Sequence, residues 1–217
     1  MSFTDRRDAG RQLAQRLRQQ LTAEGPGAPE GPVVLALPRG GVPVAAEIAR
    51  ELGAPLDVFV ARKIGAPGQR ELAVGALAGE DPPVFDRRAL QFLGLAEEEL
   101  AADVARERTE LHRREDLYRG KRPELVLTGR TVILVDDGLA TGMTATAALR
   151  NLRRRGPARV VLAVPVASPT TAAALAQEAD EVVCLSKPPD FRAVGEWYED
   201  FTQVSDEHVI EALRAAT

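Results

Sequence analysis

The chain has 217 residues, 45% of them hydrophobic and 28% charged, with a formal net charge of -4 at pH 7. That size and mix suit a single globular domain with a substantial core, and the slight acidity argues against a general binder of nucleic acid or anionic membranes. One cysteine, Cys184, rules out an intramolecular disulfide, and its apolar neighbours predict a small buried side chain rather than a catalytic thiol.

The N-terminus carries no apolar signal core, and no uncharged apolar run is long enough to cross a bilayer; a cytoplasmic protein without membrane contact is expected. Residues 5–21 place Ala9, Leu13, Leu17 and Leu21 at helical spacing, which predicts an amphipathic helix. Glycines and prolines in 25–32 end it and read as a loop from an N-terminal arm to the core. Residues 33–37 are a short apolar run, a candidate buried strand. Arg39, Gly40 and Gly41 follow it directly. A helix is predicted over 42–52, with Gly53 suited to the position just past its end. Residues 56–60 form a second candidate strand, followed by Arg62 and Lys63. This strand–helix–strand order predicts parallel pairing.

Residues 64–70 contain two glycines and a proline and read as a mobile loop. Residues 72–78 and 83–85 read as a short hairpin. Helices are predicted over 86–93 and 96–118, the second highly charged and exposed or partner-facing. A third strand covers 131–135, a helix 144–155, and a fourth strand 159–166. Ser168 and Pro169 suit the cap and first turn of a helix reaching to about 177. A fifth strand covers 181–185, and Ser205 caps a final helix with Asp206 and Glu207 in its first turn. The expected architecture is α/β, a doubly wound, mostly parallel sheet flanked by helices in one domain over 1–217. Ligands of such sheets bind beyond the C-terminal strand ends.

One strand end stands out. The third strand runs into Asp136 and Asp137, and residues 138–144 then lead into a helix. A small-residue loop before a helix offers free backbone N–H groups to an anion. Gly138 and Gly142 allow close approach, and Thr141 and Thr144 add hydroxyl donors. Two carboxylates would repel a bare phosphate, but they suit neutral hydroxyls, because ionised carboxylates only accept hydrogen bonds. A vicinal diol joined to a phosphate, as in ribose 5-phosphate, meets both demands. A Walker A loop is excluded by its spacing and by Met143 in place of lysine, and no Gly-x-Gly-x-x-Gly fingerprint is present. A capped turn with two solvated aspartates would need all these features to coincide by accident.

Residues 132–144 resemble the phosphoribosyl pyrophosphate signature of type I phosphoribosyltransferases. The resemblance implies that Asp136 and Asp137 hold the ribose 2- and 3-hydroxyls, and that Ala140, Thr141, Gly142, Met143 and Thr144 bind the 5-phosphate. It also implies a pyrophosphate loop after the first core strand, the place of Arg39, Gly40 and Gly41; alone, that stretch fits a plain strand-to-helix turn equally well. Arg62 and Lys63 match a basic pair that faces the pyrophosphate and opens a flexible lid over 64–71, or form a solvated charge pair. The family's nucleobase pocket lies in a hood near the C-terminus, matched by 187–198, where Phe191 or Trp197 either stacks on a ring or fills a small subdomain core. Relative to this family, 1–30 is an N-terminal helix and loop, 86–122 a helical insertion, and 186–217 the hood with a C-terminal helix.

The function so implied is transfer of 5-phosphoribosyl to a nitrogen nucleophile, a nucleobase-like acceptor, with release of pyrophosphate, in nucleotide metabolism. Magnesium would arrive on the pyrophosphate, and no metal site built by the protein is expected: His112 and His208 are far apart in sequence. Ala140 stands where enzymes acting on 6-oxopurines carry aspartate, which argues against hypoxanthine or guanine. The alternative is a non-enzymatic sensor of the same ligand on the same fold. A third reading, a hydrolase of a phosphorylated sugar, lacks an identifiable water-activating base. Dimers are common in the resembled family, and the charged helix at 96–118 is the candidate interface.

Overall fold

The computed structural model describes residues 2–23 and 31–216. The expected connecting loop at 25–32 therefore lies largely outside the described residues. The first half of the chain forms α1 (Arg6–Ala23), β1 (Val33–Ala36), α2 (Gly41–Leu52), β2 (Leu56–Val58), β3 (Ala61–Ala66), β4 (Gln69–Ala78) and β5 (Val84–Phe85). The second half forms α3 (Arg87–Leu93), α4 (Ala101–Arg119), β6 (Thr131–Val135), α5 (Met143–Arg154), β7 (Arg159–Val166), α6 (Pro169–Leu175), β8 (Glu181–Ser186) and α7 (Asp206–Ala215).

Five strands make one parallel sheet in the order β2-β1-β6-β7-β8. Its side chains alternate between two apolar layers, as the two-residue period of a strand requires. Val34, Ala36, Ile133, Val135, Val161 and Ala163 pack with Leu13, Leu17, Val44 and Ile48 of α1 and α2 and with Val209 and Leu213 of α7. Val33, Leu35, Val132, Leu134, Val160 and Leu162 pack with Ala148, Leu149 and Leu152 of α5 and with Leu175 of α6. Each such aliphatic side chain, once fully buried, stabilises the fold by roughly 1.5–3 kcal/mol, so a sheet covered on both faces is what these apolar runs select. Helix caps follow the predicted chemistry: the Ser168 hydroxyl accepts from Thr171 N–H, and the Ser205 hydroxyl from His208 N–H. Among the described residues no helix is long and apolar enough to cross a membrane.

Two expectations change. Residues 64–70 are not a loop. β3 and β4 pair antiparallel around a two-residue turn at Pro67 and Gly68, and β5 extends this second sheet. The glycine and proline punctuate a hairpin instead of ending structure, and the register slips around Gly65. The charged helix at 96–118 is also not a bare exposed rod. α4 buries Leu111 and Tyr118 in the layer that contains α7, and Tyr118 Oη donates to the Asp206 carboxylate.

The segment after β8 folds back on the N-terminus. Phe3 N–H donates to Trp197 O at 2.8 Å, Glu199 N–H to Phe3 O at 2.8 Å, and Asp200 N–H to Thr4 O at 2.9 Å. Phe3, Ala9, Val166 and Tyr198 form a small separate apolar cluster there.

Candidate functional site

The chain leaves β1 toward β2 on one side and returns through β6 on the other, so strand order reverses between β1 and β6. Open α/β sheets bind ligands at such a reversal, beyond the C-terminal strand ends. Both loops singled out in the sequence follow these two strands. Leu37 N–H continues the ladder to Val135 O at 2.8 Å. The turn after it lies directly on the acidic pair: a Cβ on Gly40 would stand 2.0 Å from Asp137 Oδ2, and one on Gly41 2.6 Å from Val135 O. Only glycine permits this approach. The Pro38–Arg39 peptide is cis. Gly41 and Val42 N–H groups are used within the turn, by Leu37 O and Arg39 O.

The loop after β6 is anchored from below. Leu139 N–H donates to Val166 O at 2.9 Å, and Thr171 Oγ1 donates to Ala140 O at 2.7 Å. Gly142 has φ 72°, a left-handed conformation, and a Cβ there would meet Thr171 Cγ2 at 2.8 Å. α5 starts immediately afterwards. Among the described residues, the N–H groups of Ala140, Thr141 and Gly142 and the hydroxyls of Thr141 and Thr144 have no hydrogen-bond acceptor. Free donors at a helix N-terminus are an anion cradle.

Between the loops lies a cleft of about 630 Å³. The acidic pair, the cradle, Arg62 and Lys63 line it. A larger hollow of about 880 Å³ lies between α2 and α7, walled by Pro43, Ala46, Ala49 and Ala212. Its lining also carries Glu47, Arg50 and His208, but neither loop nor the acidic pair, so the smaller cleft is the candidate site.

Asp136 and Asp137 are adjacent carboxylates with little solvent. Burial pushes the Asp136 carboxyl well above the usual carboxylate range, and the Asp137 charge pushes it further. Burial also raises Asp137, against which Arg6 pulls down. Arg6 Nε donates to Asp137 Oδ2 at 2.8 Å, and their side chains are 10% and 14% exposed. Tyr198 Oη donates to Asp137 O at 2.6 Å. Asp137 N–H donates to Asp136 Oδ1 at 2.9 Å.

The structure sorts the sequence-predicted residues. Asp136, Asp137, Ala140, Thr141, Gly142 and Thr144 converge on the cleft with Lys63, while Met143 is partly buried against the apolar layer of α5. Arg62 reaches the cleft wall with its guanidinium committed to Glu107 of α4, at 3.1 and 2.7 Å. Leu37 and Pro38 represent the first loop in the lining; Arg39 does not line it, and its charge acts on Tyr118. Phe191 and Trp197 are not cleft residues either. Both pack against the Phe3–Tyr198 cluster, and the side chains that the hood gives to the cleft are Val194 and Phe201. The sequence reading missed these two. It also missed Arg6 and the α4 residues Arg106, Glu107 and Arg114, because each meets the site through contacts far apart along the chain.

Comparison with known proteins agrees with this arrangement. The phosphoribosyl transferase domain family matches residues 5–201. The chain belongs to that family. Two Mycobacterium tuberculosis proteins, from strains CDC 1551 and H37Rv, are 47% identical over 214 residues, and their phosphoribosyl transferase designation is itself provisional. The match takes in 99% of this chain and 47% of each relative, so the chain spans about half the length of the curated relatives it matches. The crystal structure of TT1426 from Thermus thermophilus is 48% identical, with a TM-score of 0.78 and 98% of each chain covered. A Neisseria gonorrhoeae protein crystallised with ppGpp shares the fold alone, at 16% identity and a TM-score of 0.52, over 100% of this chain and 96% of that one.

Proposed function

We propose that this chain binds phosphoribosyl pyrophosphate in the cleft between the β1 and β6 ends and transfers its 5-phosphoribosyl group to a nitrogen nucleophile, releasing pyrophosphate. The observation that carries this reading is the meeting of an unpaired anion cradle and a carboxylate pair at the point where strand order reverses. Residues 140–144 take the 5-phosphate through backbone N–H groups and the Thr141 and Thr144 hydroxyls. Asp136 and the remaining oxygen of Asp137 accept from the ribose hydroxyls. Lys63, with Leu37 and Pro38 of the first loop beside it in the cleft wall, faces the pyrophosphate.

Magnesium enters as part of the substrate, on the pyrophosphate oxygens, where it would neutralise the leaving group. The chain's own residues orient the sugar and keep water from it. The β3–β4 hairpin, whose exposed tip carries Arg70 and Glu71 beside the cleft, is the element suited to cover it. On the acceptor side, Val194 and Phe201 offer an apolar wall, so a planar nitrogen heterocycle is the proposed class. Ala140 supplies no carboxylate to such a base, which favours acceptors other than 6-oxopurines. The setting proposed is nucleotide metabolism in the cytoplasm.

The test mixes the protein with magnesium, phosphoribosyl pyrophosphate and separate nucleobases and measures pyrophosphate release. Release that depends on one base names the acceptor. Tight binding with no release under any base supports a sensor instead, and no binding at all sinks the reading. Replacing both carboxylates, Asp136→Asn with Asp137→Asn, should weaken binding by more than about 100-fold while the protein stays folded, since hydrogen bonds to charged groups contribute about 1.5–3 kcal/mol each. Unchanged affinity would contradict the ribose role.

A further inference from the structure

Among the described residues, four polar or charged side chains are buried: Arg6, Glu47, Asp57 and Asn151. Only Arg6 touches the acidic pair. Its guanidinium makes three different contacts at once. Nε donates to Asp137 Oδ2 at 2.8 Å, Nη1 donates to Thr202 O at 2.9 Å, and the central carbon lies 3.9 Å from the centre of the Phe201 ring. Tyr198, whose ring is also within 5.9 Å of that carbon, holds the backbone carbonyl of Asp137. One fixed cation thus joins the start of α1, a carboxylate of the cleft and the hood.

Closing the N-terminal arm does not require this cation. Phe3 is fully buried, and three backbone hydrogen bonds already pin residues 3 and 4 to residues 197–200. Burying a guanidinium costs free energy unless its partners are well placed, and here the charged partner is a cleft carboxylate. The geometry also demands arginine, because a planar fork that stacks on a ring while donating in two directions cannot be reproduced by an ammonium group.

We propose that Arg6 is a positioning residue for the donor sugar: locked between Phe201 and Thr202, it holds the Asp137 carboxylate in place for the ribose diol. This inference rests on the phosphoribosyl pyrophosphate reading above. The charged and titratable groups that face Asp137 are Asp136 at the end of β6, Arg6 of α1 and Tyr198 of the hood, with Lys63 of β3 acting on Asp136. With Arg6 removed, two adjacent half-buried carboxyls would remain, with Lys63 acting on Asp136 alone, and the pair would hold a proton to higher pH.

The experiment measures binding of phosphoribosyl pyrophosphate with magnesium across pH, by calorimetry, for the full chain carrying Arg6→Gln, Arg6→Lys, Asp137→Asn, or Arg6→Gln with Asp137→Asn. Arg6→Gln should bind about tenfold more weakly, in the range for contacting pairs, and should need a higher pH than the wild type to reach full affinity. Arg6→Lys should restore the wild-type pH dependence while remaining several-fold weaker. In the Asp137→Asn background, Arg6→Gln should cost nothing further. If Arg6→Gln fails to fold, Arg6→Lys decides, and wild-type affinity in it overturns the proposal. So does an Arg6→Gln effect of the same size with Asp137 already replaced, or an Arg6→Gln variant with unchanged affinity and pH dependence. Absence of binding by the wild type sinks the ligand reading instead.

Discussion

At the scale of single residues, the acidic pair is a strained asset. The Asp136 carboxyl is raised above its ordinary value by burial first and by Asp137 second, so the fold without ligand favours its protonated form. The corresponding stability is fully present below the unfolded carboxyl value, about 3.9, and is lost as pH rises through the higher folded value. At neutral pH the ligand-free protein therefore bears a penalty at this position. Asp136→Asn should melt higher than the wild type at neutral pH, with the gap closing as pH falls toward about 4. Each unit of displacement corresponds to about 1.4 kcal/mol, and each kcal/mol to about 2–4 °C in a chain of this size. Thermal melts at the two pH values check this; an Asn variant that melts lower at neutral pH would mean that Asp136 stabilises the empty fold. Such a trade of stability for a charged site is common where function needs the charge. The pair and the cradle were legible because strand, carboxylates, small-residue loop and helix run consecutively from residue 131 to 154. Arg6 was not legible, since its partner lies 131 residues away and nothing local distinguishes Arg6 from Arg7.

At the scale of elements, β3 and β4 show how neighbouring residues divide their work. Arg62 and Lys63 point to opposite sides of a strand, as its two-residue period requires. Arg62 is tied to Glu107, whose side chain is 14% exposed, and so docks the hairpin on α4. Lys63 is exposed and acts on Asp136. Arg62→Ala should lower the melting temperature by roughly 2–4 °C, the effect of about 1 kcal/mol in a chain of this size. Lys63→Ala should leave the melting temperature unchanged and weaken phosphoribosyl pyrophosphate binding by about tenfold, the equivalent of one charge-assisted hydrogen bond. Melting curves and titrations of both variants distinguish the roles; equal effects on both measurements would show that the two side chains act alike. The hairpin itself was misread because Gly65, Pro67 and Gly68 signal interruption locally, whereas the pairing of Ala61 with Ala78 is a long-range fact. The parallel strands and capped helices carried their own signals: apolar runs, Ser168 and Ser205 at caps, and Gly53 past a helix end.

At the scale of the whole molecule, α4 couples the cleft to the rest of the fold. Its middle brings Arg106, Glu107 and Arg114 to the cleft, while its C-terminal end is moored outside the cleft lining. There the mooring point is Asp57 on β2, 4% exposed in an otherwise apolar strand. Asp57 Oδ1 accepts from Val58 N–H at 2.8 Å, and the carboxylate meets Arg119 at 3.3 Å and Arg122 at 3.8 Å. Next to Arg119, burial and then the Asp206 carboxylate push the Tyr118 phenol up to about 12, so it stays a donor to Asp206 throughout the neutral and mildly alkaline range. Removing one member of a buried ion pair leaves the other uncompensated and typically costs about 3–5 kcal/mol. Arg119 and Arg122 are partly exposed, at 20% and 30%, so the lower end applies. Asp57→Ala should therefore destabilise the fold by about 3 kcal/mol, a melting temperature lower by roughly 6–12 °C. Asp57→Asn, which can still accept from Val58 N–H, should fall in between. Because α4 also carries Glu107, loosening its C-terminal end should free Arg62 and weaken ligand binding even though Asp57 is not a cleft residue. Thermal melts and calorimetry on the same samples test both halves: a wild-type melting temperature for Asp57→Ala would show that apolar packing of Leu111 and Tyr118 alone docks the helix, and a large loss of stability with unchanged affinity would show that the helix end and the cleft are uncoupled.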